Sequence, residues 1–235
     1  MLSIHQADLF CIPARKWKLG RRALRDLPAD GPLVVNVSQG IALTSVEEEH
    51  GHSHDDGHHH TYDPHIWTDP LQAKQIVQNI CSALSNLDAQ NADLYQQNTQ
   101  LYLAQLDALD EAFRNVVAQG RRTEMIFGSP FSLYYFTQRY GLSYEAAFDS
   151  CTGESEPSVA TLVHLIEHIK QAQIPVVYIT ELSDPKIAQS ISEETGAEIL
   201  LFHACHNVSK EDFQNGFSYL SLMWQNVEHL KKGLQ

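Results

Sequence analysis

Positive charge is scarce in this chain, where 16 lysines and arginines face 29 aspartates and glutamates for a formal charge of -13. Such a field repels phosphates and draws in cations. The short cluster from Arg15 to Arg25 is the only basic stretch, which excludes nucleic acid as a partner. Cysteine is sparse as well: Cys11, Cys81, Cys151 and Cys205 lie far apart with no C-x-x-C, against a zinc ribbon or a thioredoxin-type redox pair. No apolar run approaches the roughly 20 residues that a membrane span needs. Met1 to Gln6 has no signal-peptide core, so the chain as it stands is expected to be soluble and without an export signal. Catalytic grammar is also missing, with no H-E-x-x-H, no G-x-S-x-G and no P-loop. A zinc hydrolase using His65, His203 and His206 with Glu154, Glu156 or Glu181 as base is thus the weakest reading, and no enzymatic activity is expected.

Histidine is abundant. Seven of the thirteen fall in the 24 residues from Glu47 to Pro70, EEEHGHSHDDGHHHTYDPHIWTDP. His50, His52, His54, His58, His59 and His60 are interleaved with Glu47, Glu48, Glu49, Asp55 and Asp56, with almost nothing apolar to bury. This composition predicts a flexible loop over 47–60. Neutral imidazole and carboxylate suit borderline divalent ions such as zinc, so the loop reads as a collector that holds metal weakly in many arrangements. His65 differs in kind, because Pro64 and Pro70 restrict the backbone around it and Ile66 and Trp67 can anchor it to a core.

Elsewhere the pattern is that of an α/β protein. Strands are predicted at 7–12 and 33–37 around a helix over 17–27. Asp69 caps a helix that Pro70 opens. A longer helix runs from Asn91 to Ala118 with Leu94, Leu101, Leu106, Leu109, Phe113 and Val116 as its apolar set, and would span roughly 40 Å. After it, strands at 124–127, 143–148, 176–180 and 198–203 alternate with helices at 131–140, 159–173, 185–195 and 210–232. That alternation predicts a parallel sheet covered on both faces, with ligands outside the carboxyl ends of its strands. Ser129, Cys151 to Glu156, Glu181 and His203 to His206 fall on that rim. Cys151 and Cys205 could meet there as a disulfide in an oxidising compartment. His164, His168 and His229 read as surface or packing residues on helix faces.

An acidic His-rich loop running directly into DPHIWTDP resembles the solute-binding proteins of zinc and manganese ABC importers, the cluster A-I or ZnuA-like family, over nearly the whole chain from Ala7. The resemblance implies two lobes of parallel sheet flanked by helices and joined by a long spine helix: an incomplete N-terminal lobe over 1–86, the spine over 87–119 and a C-terminal lobe over 120–235. It implies that His65 is a metal ligand, that zinc is the cargo with manganese as a second candidate, and that a monomer docks on an ABC permease outside the cytoplasm. An intracellular metal-storage or chaperone protein is the alternative. In the family an opening strand-helix-strand portion supplies a first histidine, so the N-terminal lobe is expected to be truncated here. A family histidine falls at Pro130, which offers no side-chain ligand, and the family carboxylate falls nearest His203, with His206 three residues on. Glu154 and Glu156 match a loop lining the cleft, and Glu181 a strand-end glutamate with a mainly structural role.

Overall fold

The computed structural model describes residues 7–13, 27, 31–46, 61–148 and 157–235. The chain divides into two compact units, Met1–Ala104 and Gln105–Gln235.

In the first unit β1 (Leu9–Ile12) lies parallel to β2 (Leu33–Asn36), Leu9 opposite Leu33 and Ile12 opposite Asn36. Parallel neighbours need a crossover, and the helix expected there lies, except for Leu27, outside the described residues. β3 (Ser45–Val46) pairs antiparallel with β4 (Thr61–Tyr62), Val46 opposite Thr61. The His-rich segment 47–60 joins these paired ends and itself lies outside the described residues. Helix α1 (Pro70–Leu87) starts as the sequence predicts: the Leu71 N–H donates to Asp69 Oδ1 at 2.8 Å, and proline occupies the first turn, where no donor is needed. Asn79 Nδ2 fixes α1 to the turn after β2 by donating to the carbonyls of Val37 and Gln39 at 2.8 and 2.9 Å.

Helix α2 (Ala92–Gln119) contains the boundary between the units. Its buried stripe is Leu103, Leu106, Leu109, Asp110 and Phe113. Leu94 and Leu101, expected in the apolar set, are instead 53% and 67% exposed. They fall off the stripe that 103, 106, 110 and 113 define at helical spacing, and Asp110 joins it because its charge is paired. Arg139 grips both Asp110 oxygens at 2.9 and 3.0 Å, Tyr140 donates to Oδ1 at 3.0 Å, and Arg114 lies 2.7 Å from Oδ2.

The second unit is built on four parallel strands in the order β6-β5-β7-β8: β5 (Glu124–Phe127), β6 (Ser143–Ala146), β7 (Val176–Ile179) and β8 (Glu198–Leu201). Ile126 and Val177 pack on one face against Leu165 and Ile169 of α4 (Val159–Ala172) and Ala188 and Ile191 of α5 (Lys186–Thr195). The approach is close enough that a Cβ on Gly128 would come within 2.7 Å of the Ala188 methyl. On the other face Phe127, Tyr178 and Phe202 form an aromatic cluster with Phe136 of α3 (Tyr134–Tyr140), in which Phe202 meets the other three rings edge-to-face and Phe127 and Tyr178 are tilted at 35°. Helix α3 starts three residues later than the pattern suggests and ends on left-handed Gly141 as expected. Strand β6 stops at Ala146. The single helix expected over 210–232 is two, α6 (Lys210–Gln214) and α7 (Tyr219–Leu234). Gly216 turns the chain at φ 74°, and Ser218 and Ser221 cap α7 reciprocally. β8 ends at Leu201 because only one further ladder bond is made, from Phe202 N–H to the Ile179 carbonyl at 2.8 Å. The next N–H, that of His203, turns to Asn226 Oδ1 at 2.7 Å.

Candidate metal site

His65 is positioned by its neighbours in sequence. The Asp63 N–H donates to the Thr44 carbonyl at 3.1 Å, extending the β3–β4 ribbon by one residue. Asp63 Oδ1 then accepts from the His65 N–H at 2.8 Å and faces the His65 ring Nδ1 at 2.7 Å. Beyond it, Ile66 is fully buried, a 3-10 turn runs over Ile66–Thr68, and Thr68 Oγ1 donates to the His65 carbonyl at 2.8 Å. The Trp67 ring meets the imidazole edge-on at 5.4 Å. His65 is only 4% exposed, so its ring orientation is set by packing and by Asp63 together. A ring that gives its Nδ1 proton to a carboxylate presents Nε2 as its Lewis base, the usual arrangement of a zinc-ligating histidine. The sequence expectation that His65 is held rather than floating is met.

In the second unit the carboxyl ends of β5, β7 and β8 make one rim. Ser129 Oγ accepts from the Thr180 N–H at 3.0 Å, and Thr180 Oγ1 lies 2.8 Å from Ser183 Oγ. Glu181 spends its carboxylate on backbone: it accepts from the N–H groups of Ala204, His206 and Asn207 at 2.8, 2.7 and 3.2 Å. Left-handed Cys205, at φ 54°, shapes this run of donors into an anion-binding concavity. His203, 3% exposed, helps line a cavity of about 230 Å³ with Thr180, Glu181, Asn207 and Asp212. Its backbone is clamped by Asn226, which accepts from its N–H and donates to its carbonyl at 2.8 Å, and its ring Nε2 lies 3.1 Å from Gln225 Oε1. Burial lowers the His203 pKa, partly opposed by Gln225, and so favours the neutral ring that metals bind. Burial first, and Glu181 second, push the Cys205 thiol up to about 12, which keeps it protonated at neutral pH.

His203 and His206 share this loop, the first buried and the second exposed, whereas His65 belongs to the other unit. Pro130 follows Ser129 on the rim. His50, His52, His54, His58, His59, His60, Cys151, Glu154 and Glu156 lie outside the described residues, and Cys205 has no disulfide partner among those described. His229 Nδ1 sits 2.5 Å from the Leu201 carbonyl, a packing role as expected. Sequence reasoning missed Asp63, although a carboxylate two residues before a histidine is a visible signal. It also missed Gln225 and Asn226, for which only contact across the fold gives a signal.

Parallel sheets covered by helices and a long helix make this an α/β protein, and a buried histidine oriented by a carboxylate makes it competent to bind a metal. The chain belongs to the family described as zinc-uptake complex component A, periplasmic, whose family model matches residues 1–233. It is 30% identical over 236 residues to the high-affinity zinc uptake system protein ZnuA of Bacillus subtilis, covering 99% of this chain and 73% of that relative. The zinc-binding lipoprotein AdcA of Streptococcus pneumoniae is 28% identical over 216 residues, 91% of this chain but 41% of AdcA, so the chain spans about two fifths of that relative. The crystal structure of the metal-dependent lipoprotein YcdH from Bacillus subtilis matches with a TM-score of 0.80 at 28% identity, over 99% of this chain and 82% of that one. The Zn(II)-bound ZnuA-like domain of S. pneumoniae AdcA shares the fold, at TM-score 0.79 and 24% identity. The family is one of extracytoplasmic transport components and not of enzymes. Among the described residues, no helix is long and apolar enough to cross a membrane.

Proposed function

We propose that this chain captures a zinc ion outside the cytoplasm and passes it to the permease of an ABC importer, with His65 as a ligand. The observation that carries this reading is the Asp63 carboxylate 2.7 Å from Nδ1 of a histidine buried beside a rigid turn. The family membership and the zinc-binding relatives support zinc over manganese, as does ligation by imidazole. The His-rich stretch ends at His60, five residues before His65, so ions gathered there are released next to the ordered residue. His203, its backbone fixed by Asn226 and its neutral form favoured by burial, is the candidate ligand of the second unit, with exposed His206 three residues on.

Zinc titration against a competing chelator tests the reading. His65→Ala is expected to weaken the tightest zinc equivalent at least tenfold. Asp63→Ala, which removes only the partner that orients the ring, should weaken it by about 10–100-fold. Unchanged affinity in both variants refutes the assignment.

A further inference from the structure

Far along the sequence from both histidine loops, the second unit assembles another set of metal-competent side chains. His164 and His168 are four apart on α4, so they project from one face of the helix. Their rings lie nearly parallel with centroids 6.2 Å apart. Below them run β5 and the edge strand β6. Ile126 pairs with Glu145 and Glu124 with Ser143, which makes Glu124 and Glu145 diagonal neighbours on one face of the sheet. His168 Nε2 lies 2.9 Å from Glu124 Oε2, and His164 Nε2 lies 3.3 Å from Glu145 Oε2. One ligand atom each from Glu124, Glu145 and His168 falls within 4.8 Å of the others.

We propose that His168, Glu145 and Glu124, joined by His164, form a second site for a zinc-like divalent cation at the outer edge of this sheet. Zinc holds nitrogen and oxygen ligands at about 2.0–2.2 Å, which puts tetrahedral ligand atoms about 3.4 Å apart. The three ligand atoms, within 4.8 Å of one another, must draw in by at most about 1.4 Å to reach that spacing. Glu145 Oε2 is buried and accepts no hydrogen bond among the described residues, although the His164 ring stands beside it. The side chains of Glu124, Glu145 and His168 are 26–32% exposed, open enough for an ion to enter and for water to fill a remaining position. His164, 67% exposed with its Nε2 already 3.3 Å from Glu145 Oε2, can turn onto the ion as fourth ligand. Sequence alone reads His164 and His168 as surface or packing residues, and it does not single out the two strand glutamates beneath them.

The test follows histidine side-chain nitrogen resonances of the full chain while Zn²⁺ alone is added. The resonances of His164 and His168 are expected to shift together, and to do so equally in the His65→Ala variant. His168→Gln should raise the zinc concentration needed to shift His164 at least tenfold. If that variant fails to fold, Glu145→Gln is read in the same way. His164 and His168 resonances that stay fixed through saturating zinc overturn the proposal, as does an unchanged response of His164 in the substituted protein. His65 reports through its own resonance, so failure at either place is distinguishable from failure at the other.

Discussion

Asp110 shows how one side chain can be tested for its weight in the second unit. It is 2% exposed and ties Arg139 and Tyr140 to α2, while Arg114, one turn further along the same helix, pairs with it. Burial by itself would raise its pKa, but the hydrogen bonds from Arg139 and Tyr140 outweigh that and leave it lowered. Removing one partner of a buried pair costs about 3–5 kcal/mol, and Arg139 is partly exposed, so Asp110→Asn should cost nearer 3. A lowered carboxylate stabilises above its unfolded value of about 3.9 and loses that contribution as pH falls through the folded pKa. Urea unfolding of wild type and Asp110→Asn should therefore differ most near neutrality and converge below pH about 4. A gap that persists in acid would mean that shape, not charge, is what the site requires.

At the scale of elements, the packing of α7 on the sheet offers a test in which two effects oppose. Gly233 lies beneath Tyr178, whose hydroxyl donates to the His229 carbonyl at 3.2 Å. A methyl at 233 would overlap that hydroxyl. Alanine gains about 1 kcal/mol over glycine in a helix, while overpacking costs about 1–3 kcal/mol. Gly233→Ala is expected to lower the thermal midpoint, and Tyr178→Phe in the same chain to recover part of the loss; a raised midpoint in the single variant would show that the overlap is relieved at no cost. The loop after β8 gives a second case. Glu181→Ala removes the acceptor of three backbone N–H groups and should cost on the order of 2 kcal/mol. These dependencies also mark where sequence reading succeeds. Asp69-Pro70 and Gly141 act locally, and the helix ends they predict are where the structure has them. The break at Gly216 was hidden because hydrophobic spacing continues across it, and β8 was read too long because Asn226, 23 residues on from His203, ends its ladder. Asp63 lies within reach of local reading, but Gln225, Glu124 and Glu145 act across the fold and leave no periodic trace.

For the whole molecule, the telling feature is where the His-rich segment is inserted. Apart from the imidazole rings, residues 47–60 contain no aliphatic or aromatic side chain, and the residues on either side of them, Val46 and Thr61, are paired across β3 and β4. Replacing the fourteen residues by Asn-Gly, which closes a two-residue hairpin, should leave thermal unfolding unchanged and abolish weak zinc equivalents while sparing the His65-dependent one. A large drop in stability would show that the segment packs. Because its two ends already touch, each doubling of the insert costs only about 0.6 kcal/mol of closure entropy. Insert length at this turn is thus only weakly coupled to the cost of closing it, and the paired ends rather than the insert hold the backbone that leads into His65.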